Sequence, residues 1–229
     1  MTLSALLFDK DGTLFDFSRT WDGWSMTMLE DLAEGNTDRL MAMADAISYD
    51  LQQRTFRPDS IAIAGTNGEV AARLSPHVPG QTPAELATYL TRTAAEAELA
   101  QAVPLAPFLD GLRGQGYRLG VMTNDGEHSA RRHLSRSGVL DLFHMVIGSD
   151  SGYGAKPDPD PLLAFCKVTS VAPSQTAMVG DSLHDLIAGR AAGMQTIGVL
   201  TGMASAADLA PHADVVLPDI GHIPAWLAS

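Results

Sequence analysis

Short apolar runs punctuate this chain, and they fall into two regimes. Residues 3–8 form one such run, almost without a polar break. Similar runs return from about Arg118 onward, at 119–123, 145–148, 177–180, 196–200 and 214–217, and each reads as a short buried strand. Between them the stretches 127–137, 159–169 and 183–192 carry helical patterning. Strands that alternate with helices predict an α/β fold, a doubly wound parallel sheet of six strands with helices on both faces.

Residues 16–103 follow a different rhythm. Trp21, Trp24, Met28 and Leu32 recur at helical spacing and form an amphipathic stripe. A second helix fits 37–53, with Leu40, Met43, Ala44 and Ile47 on one side. Thr82-Pro83-Ala84-Glu85 combines an N-cap, a proline in the first helical position and a glutamate in the third, so a third helix starts there and runs to about residue 101. A glycine-containing loop at 62–67 precedes a short helix at 68–74. The predicted organisation is therefore an α/β core from 1–15 and 104–229, with 16–103 inserted after the first strand as a small all-helical cap above the sheet's C-terminal edge.

Composition narrows the picture without redirecting it. At 229 residues, 45% hydrophobic and 18% charged, the chain can bury a sizeable core. A net charge of −12 argues against nucleic acid and anionic membrane as partners, although a metal and a few local cations can still admit an anionic ligand. The single cysteine, Cys166, excludes an internal disulfide and a cysteine zinc cluster; it lies in an apolar helical stretch and reads as a buried thiol. With no basic leader and no run approaching a membrane span, a cytoplasmic location is expected. Lysine occurs only at positions 10, 156 and 167, and the first two fall inside candidate motifs.

Four motifs lie just beyond predicted strands. Asp9 and Asp11 follow the first strand two residues apart, which presents both carboxylates on one side, and Gly12 lets the chain turn. Such a pair also occurs in ordinary turns. Thr123-Asn124-Asp125-Gly126 supplies a hydroxyl, an amide and a following helix N-terminus, which suit a phosphate oxygen or simple capping. Lys156 stands between Gly154 and Pro157, where a proline restricts its backbone. Gly180-Asp181-Ser182 ends a strand, and Asp185 follows Asp181 by about one helical turn, so that both carboxylates can approach one cation, of which Mg²⁺ is the type these oxygens favour.

The four motifs in this order resemble those of the haloacid dehalogenase superfamily of hydrolases over nearly the whole chain. The opening motif stands here as Asp9 to Leu14, the hydroxyl motif as Thr123 with Asn124, the lysine motif as Lys156-Pro157 and the acidic motif as Gly180 to Asp185. The resemblance implies that Asp9 is a nucleophile forming an aspartyl-phosphate and that Asp11 is the acid and base. It implies Mg²⁺ held by Asp9, the main-chain carbonyl of Asp11 and Asp181. Thr123, Asn124 and Lys156 would then hold the phosphoryl group, with Gly12, Thr13, Ser182 and Asp185 in support.

Within the superfamily, Asp11 favours phosphoryl transfer over dehalogenation, because an alkoxide leaving group needs a proton and a halide does not. The insert contains no lysine, which excludes a cap-lysine Schiff base. The overall likeness is to phosphoglycolate phosphatases, so a small phosphate ester is the expected partner of a monomer or homodimer. A β-phosphoglucomutase-like mutase, a pyrophosphatase, a nucleotidase and a non-catalytic binding member are the alternatives. In the cap, Arg19, Arg57 and Arg73 are candidates for a substrate carboxylate, although surface charge is the simpler reading of each. Trp21 and Trp24 read as packing or pocket-wall residues, and Thr66-Asn67 as a substrate contact or a helix cap. His184 reads as an exposed helical residue, and Lys10 is expected to point away from the site.

Overall fold

The computed structural model describes residues 3–228. Strand β1 (Ala5–Phe8) is buried at every position and lies near the middle of the sheet. The chain then enters the insert through α1 (Phe17–Ala33) and α2 (Thr37–Ala46), a hairpin of β2 (Tyr49–Asp50) and β3 (Thr55–Phe56), α3 (Asn67–Leu74) and α4 (Pro83–Ala94). It returns through α5 (Leu105–Gly114), β4 (Arg118–Met122), α6 (Glu127–Arg136), β5 (Met145–Ile147) and α7 (Asp160–Thr169). The remaining elements are β6 (Thr176–Gly180), α8 (Leu183–Ala191), β7 (Gln195–Val199), α9 (Ala206–Leu209), β8 (Val215–Leu217) and α10 (Ile223–Leu227). Among the described residues no helix is long and apolar enough to cross a membrane.

All six predicted strands are present in one parallel sheet, ordered β5-β4-β1-β6-β7-β8. Successive side chains of a strand face opposite ways, and the sheet is covered on both faces. Leu6 and Phe8 accordingly pack with Leu119, Val121 and Val179 on one face, while Ala5 and Leu7 pack with Met122, Met178 and Phe165 on the other. The strand order reverses direction at β1/β6, and the crevice beyond the strand ends at such a reversal is where doubly wound sheets bind ligands. Phe8 pairs with Val121 of β4 and Val179 of β6, so the three strands end nearly level. Asp9, Thr123 and Asp181 thus emerge side by side.

A separate apolar cluster has all its buried members between Phe17 and Ala97. Trp21, Met28 and Leu32 belong to it, as the helical stripe predicts, and Trp24 packs against it. The capping signals also form as read: Thr82 N–H donates to Glu85 at 2.9 Å, and Thr66 with Glu69 builds the same box ahead of α3.

Two expectations for the insert need correction. It is not all-helical, because α2 stops at Ala46 instead of continuing to residue 53. Ser48 takes a left-handed conformation at φ 52°, and Asp50 Oδ1 accepts the N–H groups of Gln52 (2.9 Å) and Gln53 (2.8 Å). That side-chain turn offers the backbone an alternative to the helix, and the hairpin buries Tyr49 edge-on against Phe56 at 5.1 Å. The last insert helix also ends early, at Ala94.

Candidate active site

The polar residues that follow β1 end the strand and fold back at once. Gly12 sits at φ 77°, a left-handed value that a side chain disfavours, and its N–H donates to Phe15 O at 2.7 Å. The turn is held from outside by the loop after β7, where Thr201 Oγ1 donates to Gly12 O at 2.6 Å. Its neighbour Gly202 faces Asp181 so closely that a methyl group there would overlap the carboxylate. No pattern in the sequence marks Thr201 or Gly202 beyond their place after a strand.

Asp9, Asp181 and Asp185 are buried together, each offering an oxygen within 4.8 Å of the others. Lys156 Nζ bridges two of them, donating to Asp9 Oδ1 at 2.6 Å and to Asp185 Oδ1 at 2.5 Å. The second oxygen of Asp185 accepts from Ser182 N–H (3.0 Å) and Ser182 Oγ (2.7 Å), so Asp185 is already committed to holding the lysine and the start of α8. Thr13 Oγ1 donates to Asp181 Oδ1 at 3.3 Å.

Electrostatics show what the cluster lacks. Burial pushes the Asp9 carboxyl up to about 7, with Lys156 pulling it down and Asp185 pushing it further up. Burial, then Asp9 and Asp185, hold Asp181 well above the ordinary aspartate value. Burial works against the charge of Lys156, yet Asp185 and Asp9 more than reverse this and keep it protonated. One ammonium does not balance three buried carboxylates. Hard oxygen donors short of positive charge fit a divalent cation, so this triad can bind a metal.

Thr123 is buried beside this cluster and lines the cavity above it. Asn124 uses its side chain on the backbone: Nδ2 donates to Lys156 O (2.9 Å) and to Ala64 O in the insert (2.8 Å), while Oδ1 accepts from Lys156 N–H (2.9 Å). It therefore locates the lysine and ties the 62–67 loop to the strand ends. Asn67 makes a second tie, donating through Nδ2 to Asp125 Oδ1 at 3.0 Å.

Lys10 does not point away from the site. It is fully buried, with Nζ at 2.7 Å from Asp11 Oδ2, 3.3 Å from Asp125 Oδ2 and 3.1 Å from His133 Nδ1. An ammonium only donates, so His133 Nδ1 accepts, and its Nε2–H donates to Ala94 O at 2.8 Å. Burial, and next the charge of Lys10, lower the His133 pKa to about 4, which keeps the ring neutral. Burial alone would depress Lys10 itself, but Asp11 and Asp125 raise it above its ordinary value. Trp21 completes the setting: its Nε1–H donates to Asp11 Oδ1 at 2.9 Å, and its ring lies 5.4 Å from the ammonium. The scarcity of lysine was the one sequence signal for Lys10. Replacing it strands two poorly solvated carboxylates, so Lys10→Met is expected to cost about 3–5 kcal/mol of folding stability. Urea unfolding checks this, and a loss below about 1 kcal/mol would show that the pairing is dispensable.

Among the described residues, no arginine of the 16–103 insert lines the cavity. Arg19, Arg57 and Arg73 are exposed, and Arg57 lies 3.7 Å from Asp45 at the surface. His184, by contrast, is half-buried in the cavity wall rather than exposed. Cys166 is buried in α7, as its apolar setting suggested.

Comparison with known proteins adds a family context to this geometry. Residues 3–193 match the family model of the haloacid dehalogenase-like hydrolases. A phosphoglycolate phosphatase of Rhodospirillum rubrum is 30% identical over 230 residues, covering 97% of this chain and 90% of that protein. A phosphoglycolate phosphatase of Psychrobacter arcticus is 39% identical over 94 residues, a stretch that spans 41% of each chain. Among solved structures, a haloacid dehalogenase-like hydrolase from Bacteroides fragilis superposes with a TM-score of 0.74, at 23% identity, over 97% of this chain and 100% of that one, a likeness of fold.

Proposed function

The chain belongs to the haloacid dehalogenase-like hydrolases, and from that membership we propose a Mg²⁺-dependent phosphatase that cleaves a small phosphomonoester through an aspartyl-phosphate on Asp9. The observation that carries this reading is the buried Asp9 carboxylate, held by Lys156 beside Asp181 and open to the cavity that Asp11 and Thr123 also line.

Each residue then has a distinct task. Asp9 attacks phosphorus, and the bond to the ester oxygen breaks. Asp11 donates a proton to that oxygen, then removes one from the water that attacks the phosphorylated Asp9, which frees phosphate and restores the carboxylate. Trp21 and Lys10 fix the direction of Asp11 by donating to it. Lys156 and Thr123 hold phosphoryl oxygens, and Asn124 keeps Lys156 in place. Asp9, the Asp11 main-chain carbonyl and Asp181 would hold Mg²⁺, with Asp185 acting through Lys156 and Ser182. When bound, the metal offsets the repulsion between the anionic nucleophile and the anionic phosphoryl group. In this reading 16–103 is a cap that excludes water from the 1–15 and 104–229 core, and the Asn124–Ala64 and Asn67–Asp125 bonds support that role.

The test is release of p-nitrophenol from p-nitrophenyl phosphate with Mg²⁺ and with EDTA. Release that needs the metal is expected; none, or release indifferent to EDTA, would overturn the reading. Gly202 gives a finer check. An added methyl displaces the Asp181 carboxylate, and a shift of about 1 Å near the chemistry can cost about 100-fold. Gly202→Ala is therefore expected to lower kcat/KM by about that factor. An unchanged kcat/KM would mean that Asp181 is not held where the reaction needs it.

A further inference from the structure

The cavity has two chemically different walls. The wall built from strand ends carries Asp9, Asp11, Thr123, Asn124, Asp125 and Lys156, joined by Ser182 and His184 from the start of α8. The wall built from the insert is apolar, with Trp21, Trp24, Met28, Ile47, Phe56 and Leu90 among its side chains. Ser25 and Asn67 are the polar side chains that the insert contributes among the described residues, and it contributes no charged one. Asn67 is already engaged, with Thr91 Oγ1 at 3.2 Å and Asp125 Oδ1 at 3.0 Å.

Among the described residues, the lysines and the candidate cap arginines are committed elsewhere, and the half-buried His184 is the one further basic side chain in the lining. Lys156 is bound by Asp9 and Asp185 at the phosphoryl end. Lys10 faces Asp11, Asp125 and His133, which together can use all three of its ammonium protons. Arg19, Arg57 and Arg73 are exposed and form no part of the cavity wall. A carboxylate or second phosphate seated on this wall would lose its water against indoles and aliphatic chains, with the carboxylates of Asp11 and Asp125 and the imidazole of His184 also in the lining. Burying an unpaired charge in this way is strongly unfavourable.

We infer that the substrate is the phosphate monoester of an apolar alcohol, its hydrocarbon or aromatic part seated on the Trp21–Trp24–Met28 wall, and not a phosphoglycolate-type or polyhydroxylated ester. This rests on the phosphatase reading for the location of the phosphoryl end. The geometry of the wall supports it independently: Trp24 packs edge-on to Trp21 at a centroid distance of 5.3 Å, and Trp21 also holds Asp11. An apolar leaving group in contact with Trp21 therefore lies next to the acid that must protonate its oxygen.

The experiment is a series of esters sharing one reaction: ethyl, butyl and hexyl phosphate, phosphoglycolate and glucose 6-phosphate, each followed by phosphate release with Mg²⁺. Buried methylenes should raise kcat/KM about fourfold each along the alkyl series. Phosphoglycolate, which replaces the methyl of ethyl phosphate by a carboxylate, should fall at least about tenfold below it. A flat alkyl series, or phosphoglycolate or glucose 6-phosphate above hexyl phosphate, would overturn the inference. Ile63→Arg places a cation in the wall from a half-buried loop position and should narrow or reverse the order; an unaltered order in a folded variant counts against the wall as the selecting surface.

Failure of the phosphatase reading looks different, since no ester, p-nitrophenyl phosphate included, would then release phosphate. Binding still decides the inference in that case, because Trp21 and Trp24 line the wall. Hexyl phosphate should perturb tryptophan emission at lower concentration than phosphoglycolate, and the opposite order would overturn it.

Discussion

Asp9→Asn is expected to abolish turnover of p-nitrophenyl phosphate, with kcat falling by about four orders of magnitude or more while the protein stays folded. The amide keeps the shape of the carboxylate but is not a nucleophile, so the first P–O bond has no attacking group. Among the described residues the neighbouring carboxylates are otherwise engaged, Asp11 by Trp21 and Lys10. Asp181 faces Gly12, Thr13 and Gly202 at the back of the cluster, and Asp185 has both oxygens engaged by Lys156 and Ser182. Folding should tolerate the change because burial already makes charge on Asp9 unfavourable, and Lys156 keeps Asp185 as a partner. Circular dichroism and the thermal midpoint separate loss of chemistry from loss of fold. Equal activity in the two proteins would remove the aspartyl-phosphate from the mechanism.

That Asp9 could be singled out from sequence follows from the simplicity of its surroundings. A buried strand with both faces covered is a continuous apolar run, and its end is marked by the first charged residue. The same logic located all six strands to within about two residues, the scatter usual for element ends. It also explains where the reading was wrong. Lys10, at a variable position of the opening motif between the two aspartates, is expected to point away from the site, but the chain leaves the strand at Phe8 and nothing beyond it holds the side chain outward. Its ammonium instead lies 2.7 Å from Asp11 Oδ2. Position alone could not show that Asp125 and His133, from distant segments, wait there to receive it.

Other elements were hidden by their own composition. The helix Leu105–Gly114 contains Pro107, Gly111 and Gly114, residues that normally argue against a helix, and its stability comes from burying Leu105, Leu109 and Leu112. The hairpin after α2 depends on left-handed Ser48 and Arg54, neither of which announces that conformation. In the insert, the stripe of Trp21, Trp24 and Met28 is legible as a face, but not which part of it a ligand would meet. Arginines suggested a carboxylate partner because they were present; their outward placement removes that suggestion.

Removing Mg²⁺ is expected to leave a protein whose stability falls as the pH rises, and restoring it should cancel that slope. The sign follows from the raised carboxyls. In the unfolded chain Asp9 titrates near 3.8, whereas burial in the folded protein lifts it to about 7, and Asp181 is raised too. Between those values the folded state binds more protons than the unfolded state, so stability is fullest below the unfolded value and declines as the pH climbs through about 7. A divalent cation reverses the preference by favouring the ionised carboxylates. At about 100 times its Kd it should add about 2.7 kcal/mol, which for a chain of this size raises the thermal midpoint by about 5–10 °C. Melting curves at pH 5 and pH 8, with EDTA and with MgCl₂, measure both effects. Asp181→Asn should flatten the metal-free slope and weaken the response to MgCl₂, because the amide neither titrates nor supplies an anionic ligand. A midpoint in the wild type that ignores MgCl₂ at pH 8 would mean that the carboxylate cluster is stabilised by Lys156 alone, and the metal would have no place in the site.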